Sequence, residues 1–276
     1  DPFGFANSIE PFVADPVVNL TVMLLITLGG MGFSVILDIL RHRRFRLLML
    51  HSRIVLVMTG ILFLSGWLLT LLLEWDNPAT LGKLPPAVRV MAAAFQSVTL
   101  RTAGFDTIGQ GGLTPAGQMV AIIHMFIGAS PASTGGGIKT TTFFVVFLSV
   151  AAMVRRKTDY NVYRRRLNEQ LIRRALAIFT LALTLVLFDT VVISAVEGVA
   201  GAEDTLADVL YETVSAFATV GLTTGITPTL SVVSKLLISL TMFLGRVGPL
   251  TVSMALSGGP QKPDAIRYPE ERLMVG

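Results

Sequence analysis

The chain has 276 residues, of which 52% are hydrophobic and only 14% carry a charge. About 25% of the residues of a soluble domain are charged, so this composition indicates a membrane protein and argues against a disordered or nucleic-acid-binding chain. The absence of cysteine excludes a disulfide framework and thiolate metal sites, and the three histidines lack the spacing of a zinc motif. The net charge of +4 comes from basic residues that cluster as membrane topology requires.

Four apolar stretches have the length and composition of membrane-spanning helices. The clearest covers residues 54–73, which include no charged side chain. A helix needs about 20 such residues to cross the hydrocarbon core of a bilayer. The other three predicted spans cover residues 17–37, residues 175–196 with Asp189 inside them, and residues 231–256 with Lys235 and Arg246 inside them.

A fifth apolar stretch, residues 117–154, is too long for one simple crossing and is interrupted near its middle. Residues 128–137 read Gly-Ala-Ser-Pro-Ala-Ser-Thr-Gly-Gly-Gly. This composition predicts a helix that unwinds inside the membrane, where protein or a water-filled cavity must satisfy the exposed backbone. A simple kink at Pro131 is the competing interpretation, but ten small or polar residues exceed what a kink requires.

Charge placement predicts the orientation of the chain. Two connections between spans hold 13 of the 22 basic residues, namely Arg41, Arg43, Arg44, Arg46 and Arg53, and then Arg155, Arg156, Lys157, Arg164, Arg165, Arg166, Arg173 and Arg174. The positive-inside rule predicts that both connections are cytoplasmic. The intervening connections carry Glu74 and Asp76, or Glu197, Glu203, Asp204 and Asp208, and are predicted to face outside. The tail to Gly276 is then predicted to be cytoplasmic.

An internal repeat relates two parts of the chain at an offset of 117 positions. The offset superimposes Thr102 on Thr219, Gly104 on Gly221, and Gly128 on Gly245. Each unit is predicted to contain an outer helix, a short apolar segment that ends in Thr-x-Gly, and an inner helix. The predicted division is 1–46 as the end of an earlier unit, 47–157 and 158–256 as two complete units, and 257–276 as a cytoplasmic tail. We therefore expect the chain to be part of a longer protein.

The short apolar segments, residues 87–99 and 206–218, cannot cross a bilayer. The spans on either side of each segment require both of its ends to lie on the outer side, so each is predicted to be a re-entrant half helix that dips into the membrane and returns as an extended strand. The carboxyl end of such a helix carries about half a negative charge, which favours a cation near the bilayer centre.

The returning strands are the candidate ion ligands. They comprise Thr102, Ala103, Gly104 and Phe105 in the first unit, and Thr219, Val220, Gly221 and Leu222 in the second. The backbone carbonyls of 102–104 and 219–221 are predicted to replace the hydration shell of a potassium ion, because glycine permits the backbone angles that this requires. A helix-capping turn would explain one isolated copy of Thr-x-Gly, but two copies in register favour the filter.

With these features the chain resembles the Ktr/Trk/HKT superfamily of potassium transporters over nearly its whole length. The resemblance is carried by TAGFD at 102–106, SAFATVG at 215–221, STGGGIK at 133–139, FLGRVGP at 243–249 and YPEERLMVG at 268–276. The last of these is more similar to the Ktr branch than to the Trk branch. The family surrounds one pore with four such repeats, so the resemblance implies an all-α polytopic membrane protein of which this chain is the carboxyl-terminal half, with the other half of the filter elsewhere.

The resemblance also implies an activity and roles for single residues. The activity is potassium transport across the bacterial cell membrane, with the potassium ion as ligand and no covalent cofactor. Ser133, Thr134, Gly135, Gly136, Gly137 and Lys139 match an intramembrane gate loop that obstructs the pore. Arg246 matches an arginine just below the filter, which implies either an electrostatic barrier or assistance to ion release. The alternative for Arg246 is a structural ion pair with an acid outside this sequence.

The implied partners are proteins and lipid, with no nucleic acid. Members of the Ktr branch work with a cytoplasmic KtrA-type ring of RCK (KTN) domains, which binds the nucleotide, and they form homodimers. The basic cytoplasmic connections and the tail to Gly276 would be the docking surface of that ring.

Two other functions remain as alternatives. One is a Trk-type uptake subunit with a TrkA-type partner. The other is an intramembrane enzyme, which is not expected because Asp189 and His124, the available pair, lie on different segments. We expect Asp189 to be a structural partner of a polar neighbour. Carbonyl ligands serve channels and symporters alike, so the sequence leaves open the choice between them and the dependence on sodium.

Overall fold

The structure is a computed structural model that describes residues 8–156, 160–163, 165–201 and 205–248. The end of the last predicted span, residues 249–256, and the predicted tail, residues 257–276, lie outside the described residues. Within the described residues the chain forms nine α-helices and one short hairpin.

The helices follow the predicted order. They are α1 (Pro16–Met31), α2 (Phe33–His42), α3 (Leu50–Glu74), α4 (Pro86–Thr99), α5 (Pro115–Phe126), α6 (Thr140–Val154), α7 (Glu169–Ala200), α8 (Leu206–Phe217) and α9 (Val232–Val247). Strands β1 (Asn161–Val162) and β2 (Arg165–Arg166) pair antiparallel between α6 and α7. We call α3–α6 the first repeat and α7–α9 the second repeat. Helices α5 and α9 begin at residues 115 and 232, which are 117 positions apart.

Two helices are long and apolar enough to cross a membrane by themselves, α3 with 25 residues and α7 with 32. They confirm the predicted spans at 54–73 and 175–196, and each extends beyond the predicted ends. The predicted break in residues 117–154 is also confirmed, because α5 ends at Phe126 and α6 begins at Thr140.

The predicted single span at 17–37 is wrong in its shape, because α1 and α2 meet at an angle of 97°. Gly32 joins them with a φ of 89°, a conformation that favours glycine. The backbone of Ala132 lies against this joint, and the Phe33 N–H donates to the Ala132 carbonyl at 3.1 Å. The interrupted segment of the first repeat therefore sits in the bend between α1 and α2.

The short helices α4 and α8 confirm the predicted half helices at 87–99 and 206–218. They have 14 and 12 residues, too few to cross a bilayer. Both are enclosed: α4 packs against α1 and α3, and α8 packs against α5, α7 and α9. Proline begins α4, while the Thr205 hydroxyl and the Asp208 carboxylate form a capping box that begins α8.

The largest hydrophobic cluster joins the two repeats. Its most deeply buried members include Met125 of α5, Tyr211 and Phe217 of α8, and Leu100, which follows the last residue of α4. The ring of Phe126 packs against the rings of Phe179 and Phe217, with centroids 5.9 Å apart in both pairs. This cluster fixes the position of α8 relative to α5, and hence the position of the segment that follows α8.

Candidate functional site

The two Thr-x-Gly segments follow α4 and α8 and share an unusual backbone conformation. In the first segment φ is +69° at Thr102 and +78° at Gly104, and in the second it is +52° at Thr219 and +91° at Gly221. The residue between each pair has negative φ. Residues whose φ alternates in sign depart from the extended strand that the sequence predicted here, because φ is negative throughout a β-strand. A threonine with positive φ is rare, and its repetition at 117 positions marks a shared design.

Hydrogen bonding divides the eight predicted filter residues into two groups. Within the described part of the chain, the carbonyls of residues 102–104 and 219–221 accept no hydrogen bond from protein. The carbonyls at the two ends are occupied: the Thr99 hydroxyl donates to the carbonyl of Phe105, and the Ser215 hydroxyl donates to that of Leu222 at 2.6 Å. The carbonyls available to an ion are therefore those of residues 102–104 and 219–221.

The two segments lie side by side at their glycines. A Cβ added at Gly104 would stand 2.5 Å from the Val220 carbonyl oxygen, and one added at Gly221 would stand 3.5 Å from the Gly104 Cα. The first position therefore has no room for a side chain, since the neighbouring atom is backbone that packing holds in place. The structure brings together the two segments that the repeat had related only in sequence.

The predicted gate loop lies directly against both segments. A Cβ at Gly135 would collide with the Thr102 hydroxyl, and a Cβ at Gly136 would lie 2.5 Å from the Thr219 hydroxyl and 2.8 Å from the Ala218 carbonyl oxygen. Gly135 and Gly136 are both buried. The loop therefore packs against the first residue of each candidate filter segment, and glycine is what allows this approach.

Hydrogen bonds connect the gate loop to the helices around it. The Ser130 N–H donates to the Gly30 carbonyl of α1 at 3.0 Å, and the Ser130 hydroxyl lies 3.0 Å from that of Thr140 in α6. The Ile138 N–H donates to the Phe126 carbonyl at 3.3 Å. The ends of the loop are thus anchored, while its middle rests on the filter segments.

Two cations hold consecutive carbonyls in the middle of the loop. The Lys139 ammonium donates to the Gly135 carbonyl at 2.6 Å, and an Arg246 guanidinium nitrogen donates to the Thr134 carbonyl. Lys139 belongs to the first repeat and Arg246 to α9 of the second. Among the described residues no carboxylate lies within ion-pair distance of Arg246. In the described structure the Arg246 guanidinium therefore contacts the gate loop and not a carboxylate.

A cavity of about 360 Å³ opens on the other side of the filter segments. Gly104 and Gly221 line it together with Asp106 and Glu10. Asp106 lies in the loop that connects α4 to α5, and burial raises the pKa of its carboxyl. A polar cavity with acidic side chains beside both filter glycines is suited to collect cations.

Two glutamates that in the sequence only mark the predicted outer side are buried in the structure. Glu74 is 0% exposed and Glu197 is 4% exposed. Glu74 accepts hydrogen bonds from the Thr114 N–H at 2.9 Å and the Thr114 hydroxyl at 2.6 Å, and Glu197 accepts the same pair from Ser231 at 3.0 and 2.8 Å. Thr114 and Ser231 are 117 positions apart and cap α5 and α9. The recurrence of a hydroxyl residue at these two capping positions was the sequence signal that could have indicated the role of the glutamates.

A third buried glutamate, Glu212 of α8, holds the loop after the second filter segment. Its carboxylate accepts hydrogen bonds from the Thr224 N–H at 2.9 Å and the Thr227 hydroxyl at 2.8 Å. The corresponding loop of the first repeat is held differently, by Gln110, whose side-chain oxygen accepts from Gln96 at 2.6 Å and from the Tyr211 hydroxyl at 2.9 Å. Both filter segments thus end in loops that buried polar side chains keep in place.

Asp189 and His124 do not form a common site. The Thr241 hydroxyl of α9 donates to Asp189, which confirms the predicted structural partnership. His124 lies 3.0 Å from the Ser65 hydroxyl of α3. Among the described residues no group of three or more His, Asp and Glu side chains could hold a metal ion.

Comparison with known proteins identifies related sequences over most of the chain. Residues 4–262 match the family model TrkH, described as cation transport protein. The Ktr system potassium uptake protein B of Bacillus subtilis is 37% identical over 98% of this chain, and its counterpart in Vibrio alginolyticus is 38% identical over 99%. The potassium/sodium uptake protein NtpJ of Enterococcus hirae is 36% identical over 93%. The chain matches only 59%, 59% and 57% of these relatives' lengths.

A solved structure has the same fold. The potassium transporter TrkH from Vibrio parahaemolyticus superimposes with a TM-score of 0.70 over 87% of this chain and 52% of that one, at 17% sequence identity. This likeness supports the all-α polytopic membrane architecture.

Proposed function

Because this chain belongs to the TrkH family of cation transport proteins, we propose that it forms part of the pore of a Ktr-type potassium uptake protein. The names of its relatives support potassium as the substrate. The observation that carries the proposal is the pair of Thr-x-Gly segments, whose carbonyls at residues 102–104 and 219–221 accept no hydrogen bond within the described chain. The flanking carbonyls of Phe105 and Leu222 are occupied, which distinguishes these stretches from ordinary loops.

Ion selection follows from these carbonyls. A potassium ion must exchange its hydration shell for protein oxygens, and carbonyls that are free of other hydrogen bonds are available for that exchange. The carboxyl ends of α4 and α8 add negative potential at the start of each segment. The two segments touch each other on one side and do not surround an ion alone, so the proposed filter needs further carbonyls. The part of the relatives that this chain does not match would supply them.

Gating follows from the position of the gate loop. Its glycines at 135 and 136 rest on the threonines of both filter segments, so an ion leaving the filter toward the loop is obstructed until the loop moves. Lys139 and Arg246 hold the loop in this position by donating to its carbonyls. They also place positive charge on the exit path, which opposes a cation there.

The remaining features of the uptake system are extensions of this proposal. Charge placement supports a cytoplasmic position, in a bacterial cell, for the segment around β1 and β2 and for the tail to Gly276. A ring of RCK (KTN) domains that binds the nucleotide would dock there, and the subunit would form a homodimer in the membrane. The family consists of transporters, and Asp189 and His124 have separate structural partners, which supports transport rather than catalysis.

The test is rubidium uptake into vesicles that contain the complete natural protein, with potassium and sodium as separate competitors. Strong competition by potassium and weak competition by sodium is the expected result. The same assay with and without a sodium gradient separates a sodium-coupled symporter from a channel. Absence of cation flux, with or without an added RCK ring, would contradict the proposal.

A further inference from the structure

Arg101, the residue immediately before the first filter segment, is a buried cation with almost no partner. Its side chain is 8% exposed. One guanidinium nitrogen donates to the Thr59 hydroxyl at 3.4 Å, a long hydrogen bond, and the Nε has no partner among the described residues. No described carboxylate lies within ion-pair distance of it. A buried charge without a partner is costly, so a native protein either pairs it or exposes it.

The guanidinium lines a cavity of about 420 Å³ with mostly apolar walls. The cavity is bounded by Leu24 and Thr27 of α1, Thr59 and Phe63 of α3, and Ser97 and Val98 of α4. The cavity opens to the surface of the described chain at Leu24, which is 60% exposed. A cavity of this character beside a cation requires an occupant that is apolar over most of its surface and anionic at one point.

Arg101 lies in a corner between α1, α3 and α4, and the corresponding corner of the second repeat, between α5, α7 and α8, is filled by side chains. The offset of 117 places Ala218 at the position of Arg101, and Ala218 is fully buried in the main hydrophobic cluster. Phe126, Phe179 and Phe217 pack together between α5, α7 and α8. Helices α5, α7 and α8 thus pack against one another through aromatic side chains. The corresponding helices α1, α3 and α4 leave an open cavity beside Arg101.

The position of Arg101 also matters for the ion path. It is bonded to Thr102, whose carbonyl belongs to the candidate filter, so an uncompensated positive charge here would repel cations from the filter. Intramembrane charges also generally pair with one another, because an unpaired charge within the membrane is costly. The missing element is a negative charge at the depth of the filter.

We propose that the corner between α1, α3 and α4 receives a membrane helix that carries an aspartate or glutamate, and that this carboxylate pairs with Arg101. The helix belongs to the part of the complete protein that lies outside these 276 residues, as each curated relative has chain that this sequence does not match. A lipid headgroup fits less well, because Arg101 lies at the inner end of the re-entrant α4, far from the interface where headgroups reside. This inference does not depend on which cation the pore carries.

The first test is site-specific photocrosslinking in the complete natural protein in its membrane. Benzoylphenylalanine replaces Leu24, which lines the cavity, and in a matched control it replaces Leu72, which is 75% exposed on α3 and does not line the cavity. The expected product at position 24 is an intramolecular crosslink to a membrane segment outside residues 1–276 that contains Asp or Glu, with no such product at position 72. A lipid adduct, a crosslink to a second copy, a crosslink within residues 1–276, or no crosslink would each overturn the proposal.

The second test is a double-mutant cycle between Arg101 and the acid found in the crosslinked segment. Arg101→Gln and the neutralised acid each leave one buried charge unpaired, so each should lower the fraction that stays folded after a fixed heating step by on the order of tenfold. The double variant removes both charges and should recover most of that loss. Additive losses in the double variant would overturn the ion pair while leaving the transport assay of the filter untouched.

Discussion

The two repeats have the same frame and differ in their inner helices. In both, a buried glutamate near the end of the outer helix binds the hydroxyl residue that begins the inner helix, at Thr114 and at Ser231. The inner helix of the second repeat, α9, then continues unbroken through Gly245 and Arg246. The inner helix of the first repeat stops at Phe126 and restarts at Thr140.

This difference places the two parts of the candidate gate on different repeats. The first repeat supplies the gate loop, and α9 of the second repeat, which the structure describes as far as Val247, supplies Arg246, which donates to a carbonyl of that loop. The following predictions use substitutions in the complete natural protein to test this division of roles.

The largest effect is expected at the glycines of the two filter segments. Gly104→Ala places a methyl group 2.5 Å from a backbone oxygen at a φ of +78°, whereas Gly221→Ser places its side chain where the nearest atom is 3.5 Å away. The backbone strain at either position costs about 1–3 kcal/mol, and at Gly104 the collision adds to it. Both variants should lose the preference for potassium over sodium in rubidium competition, with the greater loss of uptake at Gly104. Unchanged selectivity in both variants would contradict the assignment of these carbonyls as ion ligands.

The next effect is expected in the gate loop. Gly136→Ala brings a methyl group against the Thr219 hydroxyl and the Ala218 carbonyl, so the loop should be displaced and the passive rubidium flux should increase several-fold. Gly198→Ala in α7 is the control, since a Cβ there meets nothing within 4 Å. If the flux through the Gly136 variant stays at the level of the control, the loop does not obstruct the pore.

A smaller effect is expected for the two cations that hold the loop. Lys139→Gln and Arg246→Gln each weaken one charge-assisted hydrogen bond, which contributes about 1.5–3 kcal/mol when buried and less where exposed. Each variant should raise the basal flux, and the double variant should raise it further. Spin labels in the loop should report greater mobility in the same order. A lower flux in both single variants would indicate that these cations assist conduction instead of closing the gate.

The smallest effect on transport, with a measurable effect on stability, is expected at the glutamates that the repeats share. Glu74→Gln and Glu197→Gln should each lower the free energy of unfolding by about 1–3 kcal/mol, because a buried charge-assisted network is weakened. Ion selectivity should be unchanged. Thermal unfolding of the purified protein measures the difference, with Asp76→Asn, an exposed carboxylate two residues after Glu74, as control. A loss of selectivity without a loss of stability would assign these residues to the ion path.

Much of the architecture was predictable because it depends on local pattern. The spans at 54–73 and 175–196 follow from uninterrupted apolar composition, and the half helices follow from segments too short to cross. The 97° bend at Gly32 was not predictable in the same way. Its cause is the backbone of Ala132, a hundred residues away, which the sequence pattern around Gly32 does not report.

The candidate site shows the same limit. The repeat pointed to the Thr-x-Gly segments, and composition together with the family resemblance pointed to the gate loop. Neither showed that the carbonyls of residues 105 and 222 accept hydrogen bonds from hydroxyls, nor that Arg246 reaches Thr134. The sequence does not distinguish Arg101 from other arginines, because the residue type beside the filter motif does not report burial. Its burial beside an open apolar cavity became apparent only from the packing of α1, α3 and α4.

By itself, the sequence determined the membrane class, the repeat, the order of the helices and the position of the candidate filter segments, because hydrophobic periodicity and glycine placement act over short distances along the chain. The role of the candidate gate loop came from the family resemblance. Only the tertiary structure decided which carbonyls remain free, which cations hold the gate loop and which buried charges lack a partner. Those properties depend on atoms that are distant in sequence and meet through packing, and the energy of a buried polar group is set by the partners that it finds there.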